Sequence, residues 1–215
     1  MTTIKDIVWR EVFLQRPYEM ETLYDILTHL ASLTSRGPII WEARGKGGVM
    51  RYLTGMTKWS ANRVREVFKA HSSVQFSGSV VRENITEARK LKISKPVLSL
   101  NTEVCAAMIR ASIAAMTGAK ADSECVIQMV LGAPHTPGAV PKNAPDPTST
   151  WLDIVLGTVH RASTEQRRVM REKAEQYSFD AAIRIGVSGD HTGTRLHNII
   201  SALRTLEAAG VHIRT

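Results

Sequence analysis

Apolar residues recur at Leu23, Ile26, Leu27, Leu30 and Leu33, the spacing that lines one face of a helix, and Gly37-Pro38 ends the run. The same spacing returns at Leu196, Ile199, Ile200, Leu203 and Leu206. Around the first of these segments the pattern shortens to runs rich in β-branched and aromatic side chains, which predict strands at 7–14, 39–43, 49–53 and 74–76. Gly45-Lys46-Gly47-Gly48 joins the middle pair, and its glycines supply the positive φ of a hairpin turn. Val64, Val67 and Phe68 predict a short amphipathic helix over 60–70. The order is β-α-β-β-α-β, that of a ferredoxin-like unit.

The second half repeats this order with an interruption. A strand is predicted at 93–100, then an alanine-rich helix capped by Asn101 or Thr102 and closed by Gly118. The nearly all-apolar run 125–131 predicts a central strand. Residues 132–150 hold five prolines, Pro134, Pro137, Pro141, Pro145 and Pro147, and read as a loop that is neither helix nor inner strand. Trp151 to Leu156 is a short apolar element of unassigned type, and Ser163-Thr164-Glu165-Gln166 has the form of a capping box opening a charged helix. A strand at 181–187, the second long-period helix with Thr192 or Thr194 as its N-cap, and a last strand at 211–213 complete the set. The expected fold is α+β, with two ferredoxin-like units at 1–80 and 93–215, a basic linker at 81–92, and a proline-rich insertion at 132–178 in the second unit.

Charge adds a distinction between the halves. The formal net charge is +8, and through Lys95 there are sixteen basic against nine acidic residues, so nearly all the excess lies in the first part. Arg44, Lys46 and Arg51 flank the glycine turn, and Arg82, Arg89, Lys90, Lys92 and Lys95 crowd one stretch; these eight are the candidate contacts for an anion or nucleic acid. A solvated surface is the competing reading, and it is favoured because no aromatic residues interleave the charges.

Catalytic and ligand-binding motifs are absent. A phosphate loop needs G-x-x-x-x-G-K-[ST]; the nearest stretch, Gly132 to Gly138, is followed by Ala139 and Val140, and its prolines remove amides. The seven histidines have no metal-ligand spacing, and Cys105 and Cys125 fit buried thiols of a reducing compartment better than a disulfide. No catalytic, cofactor-binding or metal-binding residue is therefore assigned. A site assembled from distant residues, with Asp190 and His191 facing the insertion, is the enzyme alternative. The insertion instead suggests docking: Pro137 and Pro141 stiffen it, and Trp151 offers an apolar anchor at its end.

Several stretches carry a family likeness. They are Tyr-Asp-Ile-Leu-Thr-His-Leu-Ala-Ser-Leu-Thr-Ser-Arg-Gly-Pro-Ile-Ile-Trp-Glu-Ala-Arg-Gly from Tyr24, Val-Phe-Lys-Ala-His from Val67, and Ala-Arg-Lys-Leu-Lys-Ile-Ser-Lys-Pro-Val-Leu-Ser-Leu-Asn-Thr-Glu from Ala88. Arg-Glu-Lys-Ala-Glu-Gln-Tyr-Ser-Phe-Asp-Ala-Ala-Ile-Arg-Ile-Gly from Arg171 and Ser-Ala-Leu-Arg-Thr-Leu-Glu-Ala-Ala-Gly-Val from Ser201 complete them. Together they resemble the region preceding the motor domain in large conjugation or type IV secretion ATPases of Gram-positive actinobacteria. The resemblance implies a fragment that ends ahead of the ATPase motifs, with the catalytic parts downstream, and leaves open whether the fragment has an activity of its own. It implies a cytoplasmic place at the inner face of the membrane, with other secretion components and neighbouring subunits as partners. DNA is the alternative partner.

Overall fold

The computed structural model describes residues 7–13, 20–71, 75–94, 98–118, 122–149 and 151–215. In chain order the elements are β1 (Ile7–Phe13), α1 (Met20–Ser32), β2 (Ile39–Lys46), β3 (Val49–Thr57), α2 (Ala61–His71), β4 (Gln75–Ser79), β5 (Glu87–Lys90) and β6 (Lys92–Ile93). There follow α3 (Cys105–Thr117), β7 (Glu124–His135), α4 (Trp151–Val155), α5 (Thr164–Ala174), β8 (Ser178–Ser188), α6 (Thr192–Arg204) and β9 (Ile213–Arg214). Seven strands form one antiparallel sheet in the order β4-β1-β3-β2-β7-β8-β5, while β6 and β9 pair separately. The two halves of the chain meet where β2 and β7 pair, from Ile39 with Leu131 to Lys46 with Glu124. Among the described residues no helix is long and apolar enough to cross a membrane.

The alternation of side chains along each strand separates the two faces of this sheet. Ile39 and Trp41 of β2 and Met129 and Leu131 of β7 face the helices, and Ile26, Leu30, Val64 and Phe68 of α1 and α2 close over that half. Over the other half, Met116 of α3 and Leu196, Ile199 and Leu203 of α6 cover Cys125, Ile185 and Val187. The same alternation turns Glu42 and Arg44 of β2, Glu124 and Gln128 of β7 and Arg184 of β8 to the opposite face.

A strap, residues 80–86, crosses that second face. It leaves β1 where the Val80 N–H donates to the Trp9 carbonyl at 3.0 Å and reaches β8 where the Thr86 N–H donates to the Val187 carbonyl at 3.2 Å. Four interstrand gaps of about 4.8 Å separate those strands, ~19 Å in all, and six residues at up to about 3.6 Å each reach ~22 Å. The strap is therefore nearly extended. Glycines admit the closest contacts on this face: a Cβ on Gly186 would come within 2.6 Å of the strap's Ile85 side chain, and one on Gly55 within 2.6 Å of the Trp9 ring on which Arg82 of the strap stacks.

Several sequence expectations change. The stretch 81–92 is no free linker: it supplies most of the strap, then β5, whose pairing with β8 places the strand of the second half ahead of the expected 93–100. Leu98 to Leu100 are not in a strand. Pro134 lies inside β7, opposite Phe179; pairing with β2 ends where Ile39 meets Leu131, so beyond it β7 is paired on one side, where a missing N–H is tolerated. The N-cap position of α6 is His191, with φ 55°, and no side chain caps that helix. Helix α3 begins at Cys105; Asn101 instead accepts the Glu103 N–H at 3.1 Å in the preceding turn. Both cysteines are free; Cys125 is buried, where desolvation pushes its thiol pKa up, and Cys105 is partly exposed. The glycine hairpin forms as expected, with positive φ at Gly47 and Gly48, and Ser163 and Gln166 make the reciprocal capping box.

Candidate functional site

Two places in the molecule gather the residues that sequence reading singled out. The first is the sheet face beneath the strap. Glu42 is 1% exposed and Arg44 3%, so both charges depend on partners for compensation. Glu42 Oε1 accepts from Arg82 Nη1 at 2.5 Å and from Gln128 Nε2 at 2.6 Å, and Gln128 in turn accepts from Arg184 Nη1 at 3.3 Å. Arg44 lies 3.0 Å from Glu124 and donates to the Glu83 carbonyl at 2.9 Å. The Glu83 carboxylate receives Lys46 at 2.7 Å, and the Arg82 guanidinium stacks 3.7 Å from the centre of the Trp9 ring. Arg51 pairs with Glu11 at 2.8 Å on the same face, and Arg89 with Glu87 at 2.7 Å at the sheet edge.

The structure thus brings Arg44, Lys46, Arg51 and Arg82 to one sheet face and gives each of them a carboxylate. Lys90 and Lys92 are exposed at the outer edge. Lys95 lies outside the described residues. Between the strap and strands β7 and β8 is a cavity of about 240 Å³, lined by Glu42, Arg82, Asn84, Gln128 and Arg184 among others. The arrangement acts as a latch that fixes the strap through side chains from β2, β7 and β8. Three buried atoms of this cluster have no hydrogen bond: Glu42 Oε2, Arg44 Nε and Glu124 Oε2. The first two lie within ion-pair distance of a charge, Glu42 Oε2 3.8 Å from Arg44 and Arg44 Nε 3.0 Å from Glu124.

Burial also raises the pKa of the Glu124 carboxyl, against the opposing pull of Arg44. Between the ordinary glutamate range and that raised value, the unfolded chain has released this proton while the folded chain keeps it. Folding stability therefore falls as pH rises through that interval. Urea midpoints measured from pH 4 to 8 are expected to show this slope, and the E124Q variant should lose it; an identical slope in both would assign the effect to another group.

The second place is the insertion. Pro137 and Pro141 are exposed, as docking residues must be. Trp151 opens α4, but its side chain is not among those described. Leu152 is 49% exposed, and Val155 and Leu156 70% each, with Val159 following. The segment is held from behind: Gln166 donates to Asp146 at 2.9 Å, the Gly138 N–H to the Ala174 carbonyl at 2.8 Å, and Ala144 and Ala162 are buried. Lys173 of α5 donates to the Leu98 carbonyl at 3.1 Å, and Tyr24 of α1 to the Tyr177 carbonyl at 2.6 Å. Leu152 and Val155 of α4, with Leu156 after it, are thus exposed on a segment whose flanks are anchored.

Asp190 and His191 lie exposed in the turn between β8 and α6. Among the described residues there is no cluster of three or more His, Cys, Asp or Glu able to hold a metal ion. Sequence reading missed Glu42, Glu124, Gln128 and Arg184. Their signal was present as polar residues at alternate strand positions, which read equally well as solvent-facing. Compared with known proteins, the chain matches no family model, no curated protein and no solved structure at a significant level.

Proposed function

We propose that this chain is a non-catalytic interaction region of a DNA- or protein-transfer machine, of the kind that precedes the motor in large conjugation or type IV secretion ATPases of Gram-positive actinobacteria. Its body consists of two ferredoxin-like units side by side. The strand order β4-β1-β3-β2 in the first half supports this reading, as does the arrangement in the second, where β8 lies between β7 and β5 and β9 pairs with β6. Sharing one sheet through β2 and β7 gives a rigid platform at the cytoplasmic side of the membrane.

The observation that carries the functional reading is the exposure of Leu152 and Val155 on a short helix and of Leu156 in the turn that follows it, in an insertion held by its own hydrogen bonds. Apolar groups fixed on a rigid base lose little conformational entropy when a partner covers them, so the gain from burial is kept as affinity. DNA is the weaker reading of the partner, because the basic residues on the sheet face are already paired with carboxylates. The triple replacement L152S/V155S/L156S in the full-length protein is expected to lower the frequency of DNA transfer between cells at least tenfold. Protein level and melting temperature should stay as in the parent. Unchanged transfer would overturn the docking role, and nucleotide turnover by the isolated chain would overturn its non-catalytic character.

A further inference from the structure

A second cavity, of about 200 Å³, lies on the helix side of the sheet between α2 and β4, away from the strap and the insertion. Its polar lining comes from Arg10, Asn62, Arg65 and Ser77, with Met56 and Phe76 forming an apolar wall. The two arginines differ from those under the strap. Among the described residues neither has a carboxylate partner; Arg10 makes only a long contact, 3.4 Å, to the Ser77 carbonyl. No carboxylate is present among the described lining residues.

The strand geometry brings these groups together. Pairing between β1 and β4 shifts register between Arg10 and Val12, and the Ser77 hydroxyl accepts the Glu11 N–H at 2.9 Å at that irregularity. Such bulges redirect the side chains beside them. Arg65 joins from α2, one helical turn beyond Ala61. Two guanidinium groups without a carboxylate partner among the described residues, with the Asn62 amide beside them, form a donor-rich set in a concave site that matches a tetrahedral oxyanion. The Ser77 hydroxyl is already engaged, donating to the Gly78 carbonyl at 2.7 Å. The volume is below the roughly 300 Å³ at which pockets for drug-sized ligands begin, and it suits one phosphate group with a few waters.

We infer that the Arg10–Arg65 cavity binds a single phosphate-class oxyanion, either a free or terminal phosphate or one phosphodiester of a nucleic acid. The site does not depend on the docking role of α4. The test titrates the whole chain with inorganic phosphate and follows the amide resonances of Asn62, Ser77 and Gly78, with sodium chloride at equal ionic strength as the reference. Saturable shifts are expected with phosphate alone. R65Q, at an exposed helical position, should weaken binding at least tenfold while its melting temperature is unchanged, and R65K should recover part of the loss. R10Q should weaken binding similarly if its strand stays folded, but R65Q decides the question. Parallel titrations with a phosphate monoester and with a dinucleotide holding one internal phosphodiester identify the source, and saturation by either one supports the site. Equal shifts with chloride, or an R65Q titration superimposable on the parent, would overturn it.

Discussion

Replacing Arg44 by methionine is expected to destabilise the chain by about 3–5 kcal/mol, the range for removing one partner of a buried ion pair. Methionine keeps the aliphatic stem, so the loss comes from charge rather than volume. Glu124 would lose the guanidinium 3.0 Å away, and the Glu83 carbonyl would lose its donor from beneath the strap. Glu42 would lose the longer contact to Arg44, 3.8 Å, but keep Arg82 and Gln128, so most of the damage falls on Glu124. The effect carries a pH signature: acidification should recover part of the loss, because a protonated Glu124 needs no counter-charge. Urea unfolding of R44M at pH 5 and pH 8 checks both points. A loss below about 1 kcal/mol at pH 8 would show that solvent reaches the site and screens it, as at surface pairs.

A loss of similar size is expected from Phe68→Ala, through packing instead of charge. The Phe68 ring is fully buried, stacked on Trp41 at 5.6 Å between centroids and edge-on to Phe76 at 5.1 Å. It joins α2 to β2 and β4, and truncation opens a cavity that these neighbours fill only in part. Such replacements cost about 3–5 kcal/mol. Chemical denaturation checks the size. Phe68→Leu should restore more than half, since it returns most of the lost volume. Equal losses in the two variants would point to the ring contacts and not to the volume.

How much of this architecture was legible depended on whether an element carries its own signal. α1 and α6 declared themselves through apolar spacing, the β2–β3 hairpin through Gly47 and Gly48, and α5 through Ser163 and Gln166. Each of those signals is local. β5 has none: Glu87-Ala88-Arg89-Lys90 lacks an apolar alternation and is a strand because β8 offers it a hydrogen-bonding edge. The strap was hidden for a related reason. Its role depends on Trp9, Glu42, Arg44 and Gly186, which sit far away in sequence and meet it only after the sheet forms. Basic residues there looked like a contact surface because the carboxylates that pair with them lie on other strands. The apolar character of the α4 region was visible in the sequence, but its exposure was not.

The junction between the halves has a consequence for how the molecule assembles. Each half is continuous in sequence, and the sheet joins them only along β2 and β7. Until that ladder closes, each half presents an open strand edge that would pair equally well with the matching edge of another copy. The strap favours the internal match, since a tether of a few residues holds the two edges at a local concentration far above that of any second molecule. Its near-extended path leaves little length to spare. Shortening it would remove the internal solution while leaving both edges intact, and two chains would then exchange halves to satisfy the same pairing.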